Sequence, residues 1–181
     1  VHASGTMAIE RSDVQFKLAG AAGTSSDNKP VVNTRLLTIG GTGLNAFVGI
    51  NGPYRSDSNG DGRTDLADAV NPSAIGLSVT GVEFGLALMF ERDQTSPRSW
   101  IALEASVAEA AMVGVPGLTA TARELALAIN RVDGLTVGAD ADAQVIDFAA
   151  APLAVYTGYG RTLALDLEGK KGELLRASGE F

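Results

Sequence analysis

The chain has 181 residues, 45% of them hydrophobic, with a net charge of −7, 22 glycines and no cysteine. That length suits one domain or two small ones and can bury a core without covalent help. The acidic balance disfavours nucleic-acid phosphates, and the lack of cysteine excludes disulfides, thiolate catalysis and cysteine-ligated zinc or iron–sulfur centres.

Glycine at this level, between short apolar runs, favours strands and turns over long helices. From the start, VHASGTMAIE alternates, with Val1, Ala3, Gly5, Met7 and Ile9 on one side and His2, Ser4, Thr6 and Ala8 on the other. DVQFKLAG continues through Val14, Phe16 and Leu18, and the change of phase near ERSD marks a turn or bulge. Gly20 to Pro30 has loop composition. Val31 to Ile39 reads as a strand, GGTG breaks it, and Leu44 to Ile50 resumes it. Farther on, Ile75, Leu77 and Val79 share a face, and after Gly81 the apolar set becomes Val82, Phe84, Leu86, Leu88 and Phe90. A glycine bulge produces that shift from odd to even positions. RDQTSPR is then a turn.

The middle supports two readings. SWIALEASVAEAAMVGV alternates through Ile101, Leu103, Ala105 and Val107, but its alanines and glutamates also suit a helix. Leu125, Leu127 and Ile129 form a strand closed at Asp133-Gly134, or Thr121 caps a helix from Ala122 to Arg131. Unbroken alternation between β flanks favours strands; helices near 101–112 and 122–131 are the alternative. VIDFAAAPLAVYTGYG reads as a strand with an irregularity at Pro152. Leu163, Leu165 and Leu167 then alternate, EGKKGE turns, and the chain returns through Leu175, Ala177, Gly179 and Phe181, the strongest hairpin pattern in the sequence. No apolar run reaches the ~18–20 residues that cross a bilayer as a helix.

One stretch carries chemistry. In DSNGDGRTDLAD, Asp57, Asn59, Asp61, Asp65 and Asp68 occupy positions 1, 3, 5, 9 and 12 of a calcium loop. Gly62 supplies the sharp turn at position 6, and Arg63 offers its carbonyl at position 7. Calcium is a hard cation that takes six to eight oxygens, and alternate positions in a tight loop converge them. The pattern resembles dockerin loops and the aspartate-rich repeats of thrombospondin type 3; it departs from EF-hand sensors in having Asp68 where those have a bidentate glutamate. Gly52-Pro53 before the loop and Asn71-Pro72 after it leave no room for the paired helices of a switch. The expectation is a calcium staple between two strands. The bland alternative is an acidic, glycine-rich turn.

Other motifs are weak. GTGLNA matches a dinucleotide fingerprint, but no helix follows to hold a pyrophosphate. The single histidine, His2, is terminal. Glu83, Glu104, Glu109, Asp166 and Glu168 are available for a paired-carboxylate glycosidase, although they read as the polar faces of strands. Trp100 and Tyr156/Tyr159 are candidates for stacking on sugars. The expectation is no enzyme.

VHASGTM at the start echoes LRASGEF at the end. RLLTIGGTGLNAFVGINGPY, IGLSVTGVEFGLALM and GYGRTLALDLEGKKGELLRASGEF resemble tandem repeats of very large bacterial surface or secreted proteins, adhesin-like and calcium-associated. That resemblance implies an all-β repeat of an extracellular polypeptide, and Val1 in place of an initiator methionine fits an excised segment. The expected fold is therefore all-β, an elongated sandwich or solenoid-like module over 1–181 with the loop 57–68 inserted. The expected role is a Ca2+-binding structural module in adhesion or in a self-assembling fibre or surface layer, whose partners are neighbouring copies and surface glycans. The alternative is a carbohydrate-binding or docking module attached to a secreted enzyme.

Overall fold

The computed structural model describes all residues except 22, 24, 26, 27, 93–97, 136 and 150. Six antiparallel strands form one open sheet: β1 (His2–Lys17), β2 (Val31–Ile50), β3 (Ile75–Glu91), β4 (Ser99–Val113), β5 (Ala120–Asp133) and, last in space, β8 (Leu174–Glu180). Between β5 and β8 the chain makes one helical turn, α1 (Ala141–Gln144), then a hairpin of β6 (Leu153–Gly158) and β7 (Arg161–Leu165), then a 3-10 turn at Gly169–Lys171. The chain is all-β, and the sheet is neither closed nor wound into a solenoid.

The strand reading of the middle holds. Residues 101–112 and 122–131 lie in β4 and β5, paired from Ser99↔Asp133 to Met112↔Ala120, so the helical alternative is overturned. β-branched and leucine side chains at alternate positions find cross-strand neighbours on both sides, which outweighs the helix propensity of the alanines. The strand does end at Asp133, where Gly134 bends the chain with φ at 79°, but no hairpin follows: β5 pairs with β4 and β8.

A line of backbone irregularities crosses the sheet. Gly5, Gly43, Gly81 and Glu124 all have positive φ, at 125°, 59°, 69° and 49°. Register slips fall beside them, between Ser4 and Thr6, between Gly41 and Ala46, and between Arg123 and Ala126. Crossing this crease reverses which residues face inward. On β3 the buried residues are Ser78 and Thr80 on one side of it and Gly85, Ala87 and Met89 on the other. The phase change expected at Gly81 is therefore real. The break expected near ERSD is not: β1 pairs without interruption from Thr6 to Lys17, and its irregularity sits at Gly5. GGTG does not end a strand either; β2 runs through it with a bulge.

The hairpin lies across one face of the sheet, where small residues let it come close. Gly40 and Gly85 are paired neighbours. A Cβ on Gly40 would sit 2.1 Å from the Tyr156 carbonyl oxygen, and one on Gly85 3.1 Å from Leu163. The main core forms here, from Phe16, Leu36, Met89, Trp100, Phe148 and Leu165 with their neighbours. A smaller cluster of Phe47, Ala74, Ala111 and Val113, with Tyr54 against it, lies on the same face beyond the crease. The hairpin expected through EGKKGE does not form. β7 pairs with β6 and β8 with β5, because Glu168 to Glu173 carries the chain from the hairpin layer back to the sheet edge. The strand expected over VIDFAAAPLAVYTG begins only at Leu153; before it Ile146 makes a single bridge to Leu18. Part of the Gly20–Pro30 loop and the centre of RDQTSPR lie outside the described residues.

Candidate metal centre

The Asp57–Asp68 segment belongs to the β2–β3 connection, whose two ends are tied at its base. Arg55 bridges to Val70, the Asn71 N–H donates to the Tyr54 carbonyl at 2.8 Å, and the Asn71 side-chain amide donates to the Asn51 carbonyl at 2.7 Å. Arg55 extends the tie into the sheet. Its guanidinium donates to the Asp68 carbonyl at 2.7 Å and lies 3.6 Å from Glu109, a buried carboxylate that also meets Arg123 at 3.0 Å. Asn45 fixes the near side of the loop. Its side-chain amide donates to the Thr64 carbonyl at 2.8 Å while its oxygen accepts the Gly81 N–H at 2.9 Å, which links the loop to the crease.

Within the loop, side-chain oxygens are held by backbone N–H groups. Asp57 accepts from Gly60 at 2.7 Å and Asp61 at 3.2 Å through one oxygen, and from Gly62 at 2.9 Å through the other. Asn59 accepts from Asp61 at 3.0 Å, Asp61 from Arg63 at 2.8 Å and Asp65 from Ala67 at 2.8 Å. The chain thus winds around Asp57, and the turn expected at Gly62 is made with φ at 82°.

Asp68 differs from the rest. It is 4% exposed, with one oxygen on the Ser58 N–H and hydroxyl and the other on the Asp65 N–H at 2.9 Å. The Asp65 N–H, then the Ser58 N–H, hold its carboxyl below the usual aspartate range against the opposing effect of burial. It works as the clasp that closes the loop.

Asp57, Asn59, Asp61, Arg63, Asp65 and Asp68 therefore share one compact loop, but among the described residues no three acidic or histidine side chains converge closely enough to hold a metal. The carboxylates are turned onto their own backbone instead. Beside the loop is an open cavity of about 670 Å³, bounded by Asp57, Asp61, Arg63 and Asp65 on one wall and by Tyr159 and Arg161 of the hairpin turn on the other.

No known family, curated protein or solved structure matches this chain.

The remaining candidates disperse. Trp100 is 2% exposed, its indole N–H donating to the Gln144 carbonyl at 2.7 Å and the Arg98 guanidinium 5.2 Å from its ring, so it anchors the core and cannot stack on a sugar. Tyr159 is 88% exposed at the hairpin turn. GTGLNA lies inside β2, with no helix after it. Glu104 is held above the ordinary glutamate range by burial and then by nearby Asp166, in a small apolar recess with Arg176 and Leu163. His2 sits at the outer end of β1, beside Phe47.

Sequence reasoning missed Arg55, Ser58 and Asn45, and it named Glu109 only as a spare carboxylate, not as a partner of the loop. A lone basic residue just ahead of an acidic loop was the one available signal for Arg55. Glu109 read as an outward-facing strand residue, because the crease that turns it inward leaves no mark on the alternation nearby.

Proposed function

We propose that this chain is a calcium-stapled structural module of an extracellular bacterial repeat protein, acting in adhesion or in a self-assembled fibre or surface layer. The observation that carries this reading is the winding of the loop backbone around Asp57. Each amide takes one direction at a carboxylate oxygen, and an ionised carboxylate has about four acceptor sites, so capacity remains for a cation. The donor set fits calcium: Asp57, Asn59, Asp61 and Asp65 offer only hard oxygens, and Arg63 adds its carbonyl. Asp68 would serve at the periphery, since both of its oxygens already hold N–H groups. A bound cation would screen the repulsion among these aspartates and fix the loop to the β2–β3 base and to Arg55.

The test is thermal unfolding with calcium and with chelator, in the native chain and in Asp57→Asn/Asp61→Asn. Calcium is expected to raise the midpoint of the native chain by several degrees, with about 2.7 kcal/mol of stabilisation at a hundredfold excess over Kd, and to leave the variant unmoved. Coincident melting curves in calcium and chelator would sink the reading. Terbium luminescence, absent in the variant, would locate the ion.

A second reading draws on Tyr159 and Arg161, exposed beside the cavity: recognition of a surface glycan by a module carried on a secreted enzyme. Glycan binding that is lost in Tyr159→Ala and indifferent to chelation would select it.

A further inference from the structure

Within the six-stranded sheet, every large hydrophobic side chain left exposed lies on the face opposite the hairpin. The pairing register lines these side chains into rows. Ile9, Ile39, Leu86, Leu103, Ile129 and Leu175 stand side by side across all six strands. The neighbouring row contains Met7, Phe84 and Leu127, with the Phe84 ring lying over Gly41, where a Cβ would be 2.7 Å from it. Ile9 at 66% and Leu175 at 70% exposure show how open the ends of the long row are. None of the described segments outside the sheet packs on this face: the hairpin, the β2–β3 loop and the residues around α1 all contribute to the two clusters on the other side.

The extent of the face argues for what covers it. From Ile75 to Leu88 along β3 and across the four central strands, spacings of ~3.3 Å per residue and ~4.8 Å between strands give roughly 900 Å². The largest apolar patch of an ordinary monomer is about 300–600 Å². A stable interface takes about 800 Å² from each partner. Charge is confined to one border: Arg11 and Arg131 flank the row of Leu37, Leu88 and Ile101, and the next row carries Asp13, Arg35 and Asp133. A bilayer-facing band would be about 25 Å tall with tyrosine and tryptophan girdles. On the central strands the only aromatics of this face are Phe84 and Phe90.

We propose that this face packs against the same face of a second copy of the sheet, making a two-sheet sandwich with ~10 Å between the layers. The uncharged centre makes such a pairing complementary to itself, as a two-fold interface must be. This deepens the assembly part of the reading above and does not depend on calcium.

Sedimentation across a concentration series, with and without chelator, tests it. The expected result is a reversible monomer–dimer equilibrium that chelation leaves in place, so the failure of one reading does not carry the other down. Leu86→Arg/Leu103→Arg is expected to sediment as a monomer at every concentration. Because that variant can fail to fold, a gentler probe accompanies it. The chain has no cysteine, so Leu103→Cys and Lys170→Cys each carry a single thiol, the second on an exposed turn away from this face. Reaction of Leu103→Cys with a water-soluble maleimide is expected to slow about tenfold as the dimer fills, by mass action. The Lys170→Cys thiol should keep its rate. A native chain that stays monomeric throughout, or a Leu103→Cys thiol equally reactive at all concentrations, overturns the proposal. Protection that appears only with phosphatidylglycerol vesicles also overturns it, and assigns the face to a lipid surface.

Discussion

Asp68 shows how one carboxylate can hold a loop without charge pairing. Its two oxygens take N–H groups from opposite ends of the segment, Ser58 and Asp65, and those bonds lower its pKa. A lowered folded-state pKa means the unfolded chain binds the proton more readily. The stabilisation is therefore complete above the unfolded value, near ~3.9, and is lost as pH falls through the lower folded value. Protection of the Ser58 and Asp65 amides, taken relative to the intrinsic exchange rate at each pH, should accordingly hold down to mildly acidic pH and fall below it. In Asp68→Asn these amides should exchange faster already at neutral pH, and equal protection in both proteins would refute the clasp. A second carboxylate, Asp147, is paired with Lys29 where both side chains are almost fully buried, and it accepts the Gly169 N–H at 3.0 Å. Burial alone would raise its pKa, but the Lys29 ammonium and the Gly169 N–H outweigh that and bring it below the ordinary value. Asp147→Ala would strand a buried ammonium, so denaturant unfolding is expected to reveal a loss of about 3–5 kcal/mol. Lys29→Met/Asp147→Leu, which removes both charges, should recover most of it.

At the scale of elements, the hairpin seat is the most exacting contact. Gly40 faces a backbone carbonyl that cannot move aside, whereas Gly85 faces the branched ends of Val155 and Leu163, which can. Gly40→Ala is therefore expected to cost at least the ~1–3 kcal/mol of overpacking and to loosen β6, as read by amide exchange at Val155 and Thr157. Gly85→Ala should cost less, and the reverse order would mean the seat is placed wrongly. This contact also marks the limit of what sequence alone conveys. Alternation found strand segments in all five long strands, since a period of two is a local property, but it divided β1 near ERSD and β2 at GGTG, where both run on. It gave no hint that Gly40 and Gly85 face the same hairpin, because nothing near either residue encodes the approach of Tyr156. The EGKKGE hairpin failed for a related reason. Its flanks alternate, but their partners, β6 and β5, lie elsewhere in the chain, and local turn chemistry cannot register that competition. The loop was legible as a pattern of oxygen donors, since its spacing is local too. Its clasp and its ties to Asn45 and Glu109 were not, because they cross from one segment to another. Most telling is β3, where the conspicuous alternating set of Val82, Phe84, Leu86 and Leu88 occupies the open face, while the core face is built from Ala87, Met89 and Gly85.

At the scale of the whole molecule, the described residues cover one face of the sheet and leave the other open. On the covered face, small residues admit the hairpin and the tied loop; on the other, aliphatic rows run from edge to edge. The crease that crosses the sheet has a mechanical consequence. The register places the start of β1 and the end of β8 at the same end of the sheet, on opposite edges: His2 pairs with Phe47 and Phe47 with Ser78, while Glu180 pairs with Arg123 and Arg123 with Glu109. A load applied between His2 and Glu180 therefore pulls across the strands, and it reaches the rungs one at a time. Each edge strand would peel from that end until the opening meets the crease at Gly5 on one side or Glu124 on the other, where the ladder is already interrupted. A sheet loaded along its strands must break many hydrogen bonds at once; this one would yield by unzipping, at low force and in small steps.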